Sequence, residues 1–166
     1  LKHVLDRHAC DVSSSAVRAG AVNAIAHLLD APQSHAVLRE RLPGLGNLIH
    51  DKVERVRVAT VKLLQKIKTS VPDIKYYKVV PVEHLWARLE QDARNRSITN
   101  PRTSALTNLM KNSYFPQNSN GSEQVHRTLK FLNDRPLAAA VFYANLSKHL
   151  AVNSVSKLVT MLLKWL

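Results

Sequence analysis

The sequence is poor in cysteine, glycine and aromatic residues. Its one cysteine, Cys10, cannot form a disulfide within the 166-residue chain, which excludes a disulfide-stapled domain and fits an intracellular compartment. Four glycines against 45% apolar residues exclude a low-complexity chain and predict an ordered one. Aromatic residues make up only 5%, as expected where Leu, Val and Ala pack helix against helix.

Long apolar runs and the motifs of common enzymes are also missing. No stretch approaches the roughly 18 uncharged apolar residues that span a bilayer, so no membrane segment is predicted. The sequence holds no HExxH or paired CxxC metal motif, no GxSxG turn, no GxxxxGK[ST] loop and no GxGxxG. His3, His8 and Cys10 are close in sequence but lack the spacing of a metal site. We therefore predict no catalytic residue, no cofactor and no metal site.

Acidic residues are scarce relative to basic ones. The sequence contains twelve Asp and Glu and twenty-four Lys and Arg, which gives a net charge of +12 and a pI near 10.2. A balance of this kind favours an anionic partner, nucleic acid above all, because each phosphate contact releases counterions. A well-solvated surface with no such partner is the alternative.

One short pattern occurs twice, 39 residues apart. Val17-Arg18 and Val56-Arg57 are each followed by apolar or small residues at helical spacing, namely Ala21, Ala24, Ile25 and Leu28 after the first and Thr60, Leu63, Leu64 and Ile67 after the second. A period of about 40 to 47 residues, with two helices in each unit, is typical of HEAT repeats. The fold class predicted is therefore all-α, a HEAT-repeat alpha solenoid of stacked antiparallel helix pairs.

The same pattern gives approximate repeat bounds along the chain. The predicted repeats are residues 1–30 (partial), 34–69, 81–114, 121–150 and 152–166 (partial). Val53 to Lys68 has the clearest helical spacing, whereas Val71 to Val80 is predicted to be an irregular link. Asn100 before Pro101 predicts a helix start, and Asp134 is predicted to cap a helix from Leu137 to Leu146.

The arginines of the repeated pattern are predicted to have a structural role. At about 100° per residue, Arg57 falls at the flank of the apolar face, where it can reach an acidic residue such as Asp51 or Asp11. We predict that Asp11, Arg18, Asp51 and Arg57 form a ladder between repeats, which sets the stacking register more than it adds stability.

Other basic residues are candidates for DNA contacts. Arg55, Lys62 and Lys66 share one stripe of the helix because their spacing is seven and four. With residues on later repeats they could form a track for a phosphate backbone, although an ordinary solvated face would have the same pattern. The candidate DNA-binding set is Lys52, Arg55, Lys62, Lys66, Lys68, Arg94, Arg96, Arg102, Arg127 and Lys130.

Two segments resemble a known family. Residues 48–68, beginning Leu48-Ile49-His50-Asp51-Lys52, and residues 78–90, beginning Lys78-Val79-Val80-Pro81, resemble the G-type HEAT-repeat (non-SMC) subunit of the condensin II complex. The likeness extends more loosely from about Ser14 to the C-terminus.

The resemblance implies a non-catalytic, nuclear, chromosome-associated subunit. Such a subunit binds the kleisin subunit of condensin II and double-stranded DNA or chromatin in mitotic chromosome condensation. It meets the SMC ATPase complex indirectly, and no membrane is involved. The alternative is a HEAT scaffold that binds only protein partners, of the transport receptor or phosphatase scaffold type.

Overall fold

The computed structural model describes residues 7–95, 97 and 99–163. Over these ranges the chain contains nine α-helices and no β-strand, so the all-α prediction is confirmed. The described residues up to 85 form one compact unit, and those from 86 onward form a second. The outermost parts of the two partial repeats, residues 1–6 and 164–166, lie outside the described residues.

The first unit is built on two long helices, α1 and α3. Ser14 begins α1 because its hydroxyl accepts the Val17 N–H at 3.3 Å, which satisfies one of the helix's first unpaired donors. The elements are α1 (Ser15–Leu28), a 3-10 turn (Pro32–Ser34), α2 (His35–Arg41), a 3-10 segment (Leu42–His50), α3 (Glu54–Ser70) and α4 (Tyr76–Val79).

The apolar stripe of α3 packs against α1 and the 3-10 segment. Its buried residues are Val56, Ala59, Thr60, Leu63, Leu64 and Ile67, so the helix predicted over Val53 to Lys68 is present. Each fully buried Leu or Ile contributes about 1.5–3 kcal/mol relative to an exposed one. The predicted irregular link is partly wrong, because Tyr76 and Val79 are buried within α4.

In the second unit, α8 is the shared packing partner of two other helices. Both α6 and α7 pack against α8, and α7 also contacts α9. The remaining elements are α5 (Val82–Asn95), α6 (Pro101–Tyr114), α7 (Gly121–Asp134), α8 (Pro136–Leu146), a 3-10 turn (Ser147–His149) and α9 (Val152–Leu163).

Two predicted helix starts in this part of the chain had different outcomes. The Asn100 side chain accepts the N–H groups of Arg102 and Thr103 at 2.9 and 3.1 Å, so the predicted start of α6 is confirmed. Asp134 does not cap α8, because it is the last residue of α7. Instead Pro136 opens α8, since proline has no N–H to leave unpaired at a first helical position.

Within the described residues, no helix is long and apolar enough to cross a bilayer.

Candidate functional site

A buried ion pair joins α1 to the turn before α3. Arg18 Nε and Nη2 donate to the two carboxylate oxygens of Asp51 at 2.7 and 3.0 Å, and both side chains are 7% exposed. Paired N–H donors of this kind match the geometry of a carboxylate. The pair therefore fixes the position of α1 relative to the turn at the start of α3.

The turn at Asp11 and the turn at Asp51 have the same local construction. Asp11 accepts the N–H of Ser13 at 2.8 Å, and Asp51 accepts the N–H of Val53 at 2.8 Å. The carbonyl oxygen of Asp11 accepts Arg18 Nη1 at 2.7 Å, and that of Asp51 accepts Arg57 Nη1 at 2.7 Å. Asp11 and Asp51 thus lie in two equivalent turns, and Arg18 and Arg57 occupy equivalent positions on the helices that follow, α1 and α3.

The surroundings of Asp51 lower its pKa below the usual 3.8. Burial alone would raise this pKa, but the hydrogen bonds from Arg18 and from the Val53 N–H outweigh it, with the nearby charges of Arg18 and Arg57 acting in the same direction. The pKa of Asp11 is also lowered, chiefly by the hydrogen bond from the Ser13 hydroxyl.

Asp51 should make the fold sensitive to acid. A carboxyl whose pKa is lowered by folding stabilises the protein above its unfolded pKa near 3.8 and loses that contribution as the pH falls through the folded pKa. We expect the urea midpoint of the wild type to drop more steeply below pH 4 than that of Asp51→Asn. Equal acid dependence in the two proteins would contradict this assignment.

The candidate DNA-binding residues of the first unit lie along α3. Lys52 and Lys62 are exposed, and Lys68 is half-buried. Arg55 Nε donates to the Ser15 hydroxyl at 3.1 Å, and Lys66 pairs with Asp30 at 2.7 Å. Arg55 therefore contacts the start of α1 and Lys66 contacts a residue just after its end, with Lys62 between them in the sequence.

These contacts give the relative direction of α1 and α3. Arg55 near the start of α3 meets Ser15 at the start of α1, and Lys66 near the end of α3 meets Asp30 just after the end of α1. The two helices therefore run in the same direction, as equivalent helices of successive repeats do.

The candidates of the second unit have different surroundings. Arg94 is 68% exposed and lies 3.9 Å from Glu90, and Lys130 is exposed. Arg127 pairs with Glu123 at 2.5 Å and donates to the Ser113 carbonyl at 3.0 Å. Arg96 lies outside the described residues.

Arg102 belongs to a buried cluster that the sequence analysis did not identify. Asp92 accepts Arg88 at 2.6 Å and Arg102 at 3.2 Å, and the side chains of Arg88 and Asp92 are only 4% and 3% exposed. Asn100 donates to the Asp92 carbonyl at 3.2 Å. The one sequence signal for this cluster is the i, i+4 spacing of Arg88 and Asp92 on α5.

No metal site is visible in the part of the chain that the structure describes. There, no group of three or more His, Cys, Asp and Glu side chains is placed to hold a metal ion.

The sequence of this chain is similar to that of one subunit of a known complex in several organisms. The chain is 37% identical over 158 residues to condensin-2 complex subunit G2 of Xenopus laevis, which covers 95% of this chain and 13% of that protein. The chain is homologous to a segment of condensin-2 complex subunit G2. The identity to the Homo sapiens subunit is 35% over 159 residues, covering 96% of this chain and 13% of that protein.

A third relative of the same name matches the whole chain. The Danio rerio subunit G2 is 34% identical over 166 residues, 100% of this chain and 14% of that protein. The resemblance to the G-type subunit of condensin II is confirmed, and the chain spans only 13% to 14% of the length of the G2 relatives it matches. Neither a protein-family model nor a solved structure matches the chain.

Proposed function

We propose that this chain is a segment of a non-catalytic HEAT-repeat subunit of condensin II, which binds the kleisin subunit and double-stranded DNA in mitotic chromosome condensation. Such a subunit acts on chromosomes in the nucleus and meets the SMC ATPase complex indirectly. The observation that carries this proposal is 34–37% identity to condensin-2 complex subunit G2 over nearly the whole chain.

The HEAT-repeat part of the proposal is supported by the first unit. The matching turns at Asp11 and Asp51, and the shared direction of α1 and α3, are what one repeat stacked on the next produces. We propose that the chain continues this plan as a solenoid of stacked antiparallel helix pairs with the predicted repeat bounds. The Arg18–Asp51 pair would then set the register between two repeats.

The DNA-binding part of the proposal is placed on α3. The α3 basic surface is defined here as Lys52, Arg55, Lys62, Lys66 and Lys68. Arg55 and Lys66 have partners on or beside α1, whereas Lys62 is exposed on the same stripe and contacts no acidic group among the described residues. Lys52 and Lys62 are therefore the residues best placed to meet phosphates.

Helix α1 itself carries no negative charge, and Asp30, just after its end, is paired with Lys66. The exposed residues of α1 include Gly20, Asn23 and His27, and no acidic residue occurs within the helix. Lysines on such a surface attract the DNA backbone without reading bases. The proposed contact is therefore non-specific in sequence and sensitive to salt.

Reversing two exposed charges tests this surface. We expect Lys52→Glu combined with Lys62→Glu to weaken binding of random-sequence duplex DNA about tenfold at low salt, and to reduce the slope of log affinity against log salt by about 2. Fluorescence anisotropy over a salt series measures both quantities. Arg55 and Lys66 are left unchanged because Glu at these positions would disturb contacts with Ser15 and Asp30.

The matched control reverses two arginines on α2. Arg39 and Arg41 are exposed, and the double Glu variant carries the same net charge as the α3 variant. We expect it to keep most of the DNA affinity. Equal weakening by both variants would mean that net charge, and not the α3 basic surface, governs binding.

If the wild-type protein does not bind duplex DNA at low salt, the proposed DNA-binding role is wrong. A scaffold that binds only protein partners, of the transport receptor or phosphatase scaffold type, would then be the better assignment.

A further inference from the structure

An open pocket with an aromatic floor lies within the second unit. Its volume is about 310 Å³, and it is lined by Trp86, Ser113, Tyr114, Arg127, Lys130, Phe131 and Asp134. The Trp86 and Phe131 ring centres are 5.6 Å apart, and those of Tyr114 and Phe131 are 4.2 Å apart. A pocket of this volume is at the small end of the range for ligand sites, so it suits one or two apolar side chains.

The aromatic rings of the pocket belong to a larger cluster. Phe142 contacts Tyr114 and Phe131 edge-on, at 5.8 and 5.7 Å between ring centres. Phe131 is buried, whereas Trp86 and Tyr114 are half-buried at the pocket. The cluster thus holds the pocket floor in place while it leaves apolar surface accessible from outside.

Two basic side chains at the pocket have no acidic partner within the described chain. Lys130 is exposed at the rim, and the Arg135 guanidinium lies over the Trp86 ring at 5.5 Å. Arg127 is already paired with Glu123, and Asp134 is the one acidic residue of the lining. Residues 86–166 contain eleven Lys and Arg against four Asp and Glu, a net charge of +7. The surroundings therefore favour an acidic ligand.

We propose that this pocket binds a peptide segment in which a large apolar side chain packs on the half-buried rings of Trp86 and Tyr114 and neighbouring acidic residues pair with Lys130 and Arg135. The partner is thus a protein that carries an apolar anchor within an acidic sequence. Interfaces of this type depend on a buried anchor with charged contacts at the rim.

The aromatic rings favour a peptide over a nucleic acid. Bases bind to proteins by stacking on open ring faces. Here Tyr114 and Phe131 stack on each other, and Arg135 covers a face of Trp86. The site therefore gives Lys130, one of the residues predicted to contact DNA, a different partner. This inference rests on the pocket alone and does not need the condensin II assignment.

Defined peptides test the proposal with the whole chain. The first probe is a fluorescein-labelled 12-residue peptide with Phe-Leu at its centre and Asp and Glu on both sides. One control peptide has Ala-Ala at the centre, and a second has Asn and Gln in place of the acids. We expect the first probe to bind about tenfold more tightly than either control, because each control lacks one of the two proposed contacts.

Protein variants locate the site of binding. Lys130→Glu should weaken the first probe about tenfold, whereas Lys157→Glu, the same charge change at an exposed residue of α9 outside the pocket, should leave it unchanged. Trp86→Phe reduces the aromatic surface on which the apolar side chain packs and should also weaken the probe. Melting temperatures check that each variant is folded.

Several results would overturn the proposal. The proposal is wrong if the first probe does not bind, or if the Ala-Ala peptide binds as tightly as the first probe. It is also wrong if Lys130→Glu and Lys157→Glu weaken binding of the first probe by the same factor. Displacement of the bound probe by a 12-nucleotide oligothymidine, with direct binding of that oligonucleotide lost in Lys130→Glu, would assign the pocket to single-stranded nucleic acid instead. None of these results would bear on duplex DNA binding by the α3 basic surface. The two proposals are therefore tested independently of each other.

Discussion

Replacing Asp92 by Asn is expected to lower the free energy of unfolding by about 3–5 kcal/mol. The substitution keeps the shape of the side chain and removes only its charge. Arg88, which is 4% exposed and 2.6 Å from Asp92, would then be a buried cation without a counter-ion. Arg102 would lose the same partner. Urea denaturation followed by circular dichroism measures the loss.

An exposed ion pair of the same spacing is the control. Arg127 and Glu123 are also four residues apart, but both side chains are about 40% exposed, and such pairs contribute about 0–1 kcal/mol. Glu123→Gln should therefore change the unfolding free energy by less than about 1 kcal/mol. If Asp92→Asn also changes the unfolding free energy by less than about 1 kcal/mol, the Asp92 cluster does not stabilise the second unit.

Gly46→Ala is expected to destabilise the first unit by about 1–3 kcal/mol. A Cβ atom at Gly46 would lie 2.7 Å from the backbone carbonyl oxygen of Val79, too close for a carbon and an oxygen that are not bonded. Because the neighbour is backbone, the 3-10 segment or α4 must shift to relieve the contact. Thermal and urea unfolding of the variant measure this cost.

Gly44→Ala provides the matched control, two residues earlier in the same 3-10 segment. Nothing lies within 4 Å of a Cβ atom built there, so we expect little change in stability. If both variants unfold at the same urea concentration as the wild type, the close approach of Gly46 to Val79 is not a constraint on the fold.

Much of the helical structure could be predicted from the sequence because its signals are local. The stripe of apolar residues on α3 and the Asn100 cap of α6 each depend on residues within one or two turns. The errors came where two signals compete. An Asp at position 134 can either cap the following helix or end the preceding one. Because Pro136 opens α8, Asp134 ends α7 instead.

The candidate site was only partly predictable, because charge is visible in a sequence and pairing in space is not. The spacing of Arg55, Lys62 and Lys66 predicts their shared stripe. It does not reveal that Arg55 meets Ser15 or that Lys66 meets Asp30, which lie 40 and 36 residues away. Of this stripe, Lys62 is the member left without such a partner among the described residues.

The aromatic pocket was not predicted at all. Trp86, Tyr114, Phe131 and Phe142 come from α5, α6, α7 and α8, and no short-range pattern links them. Low aromatic content led us to expect cores of Leu, Val and Ala, yet several of the few aromatic residues meet at one place. Gly46 is similar, since only its approach to Val79 explains the glycine.

Assignment to condensin II is tested most directly by capturing the affinity-tagged full-length protein from mitotic cells and identifying the chains that co-purify by mass spectrometry. The account predicts recovery of the condensin II kleisin subunit together with the SMC ATPase subunits. Recovery of transport cargo or phosphatase subunits, with no kleisin, would contradict it.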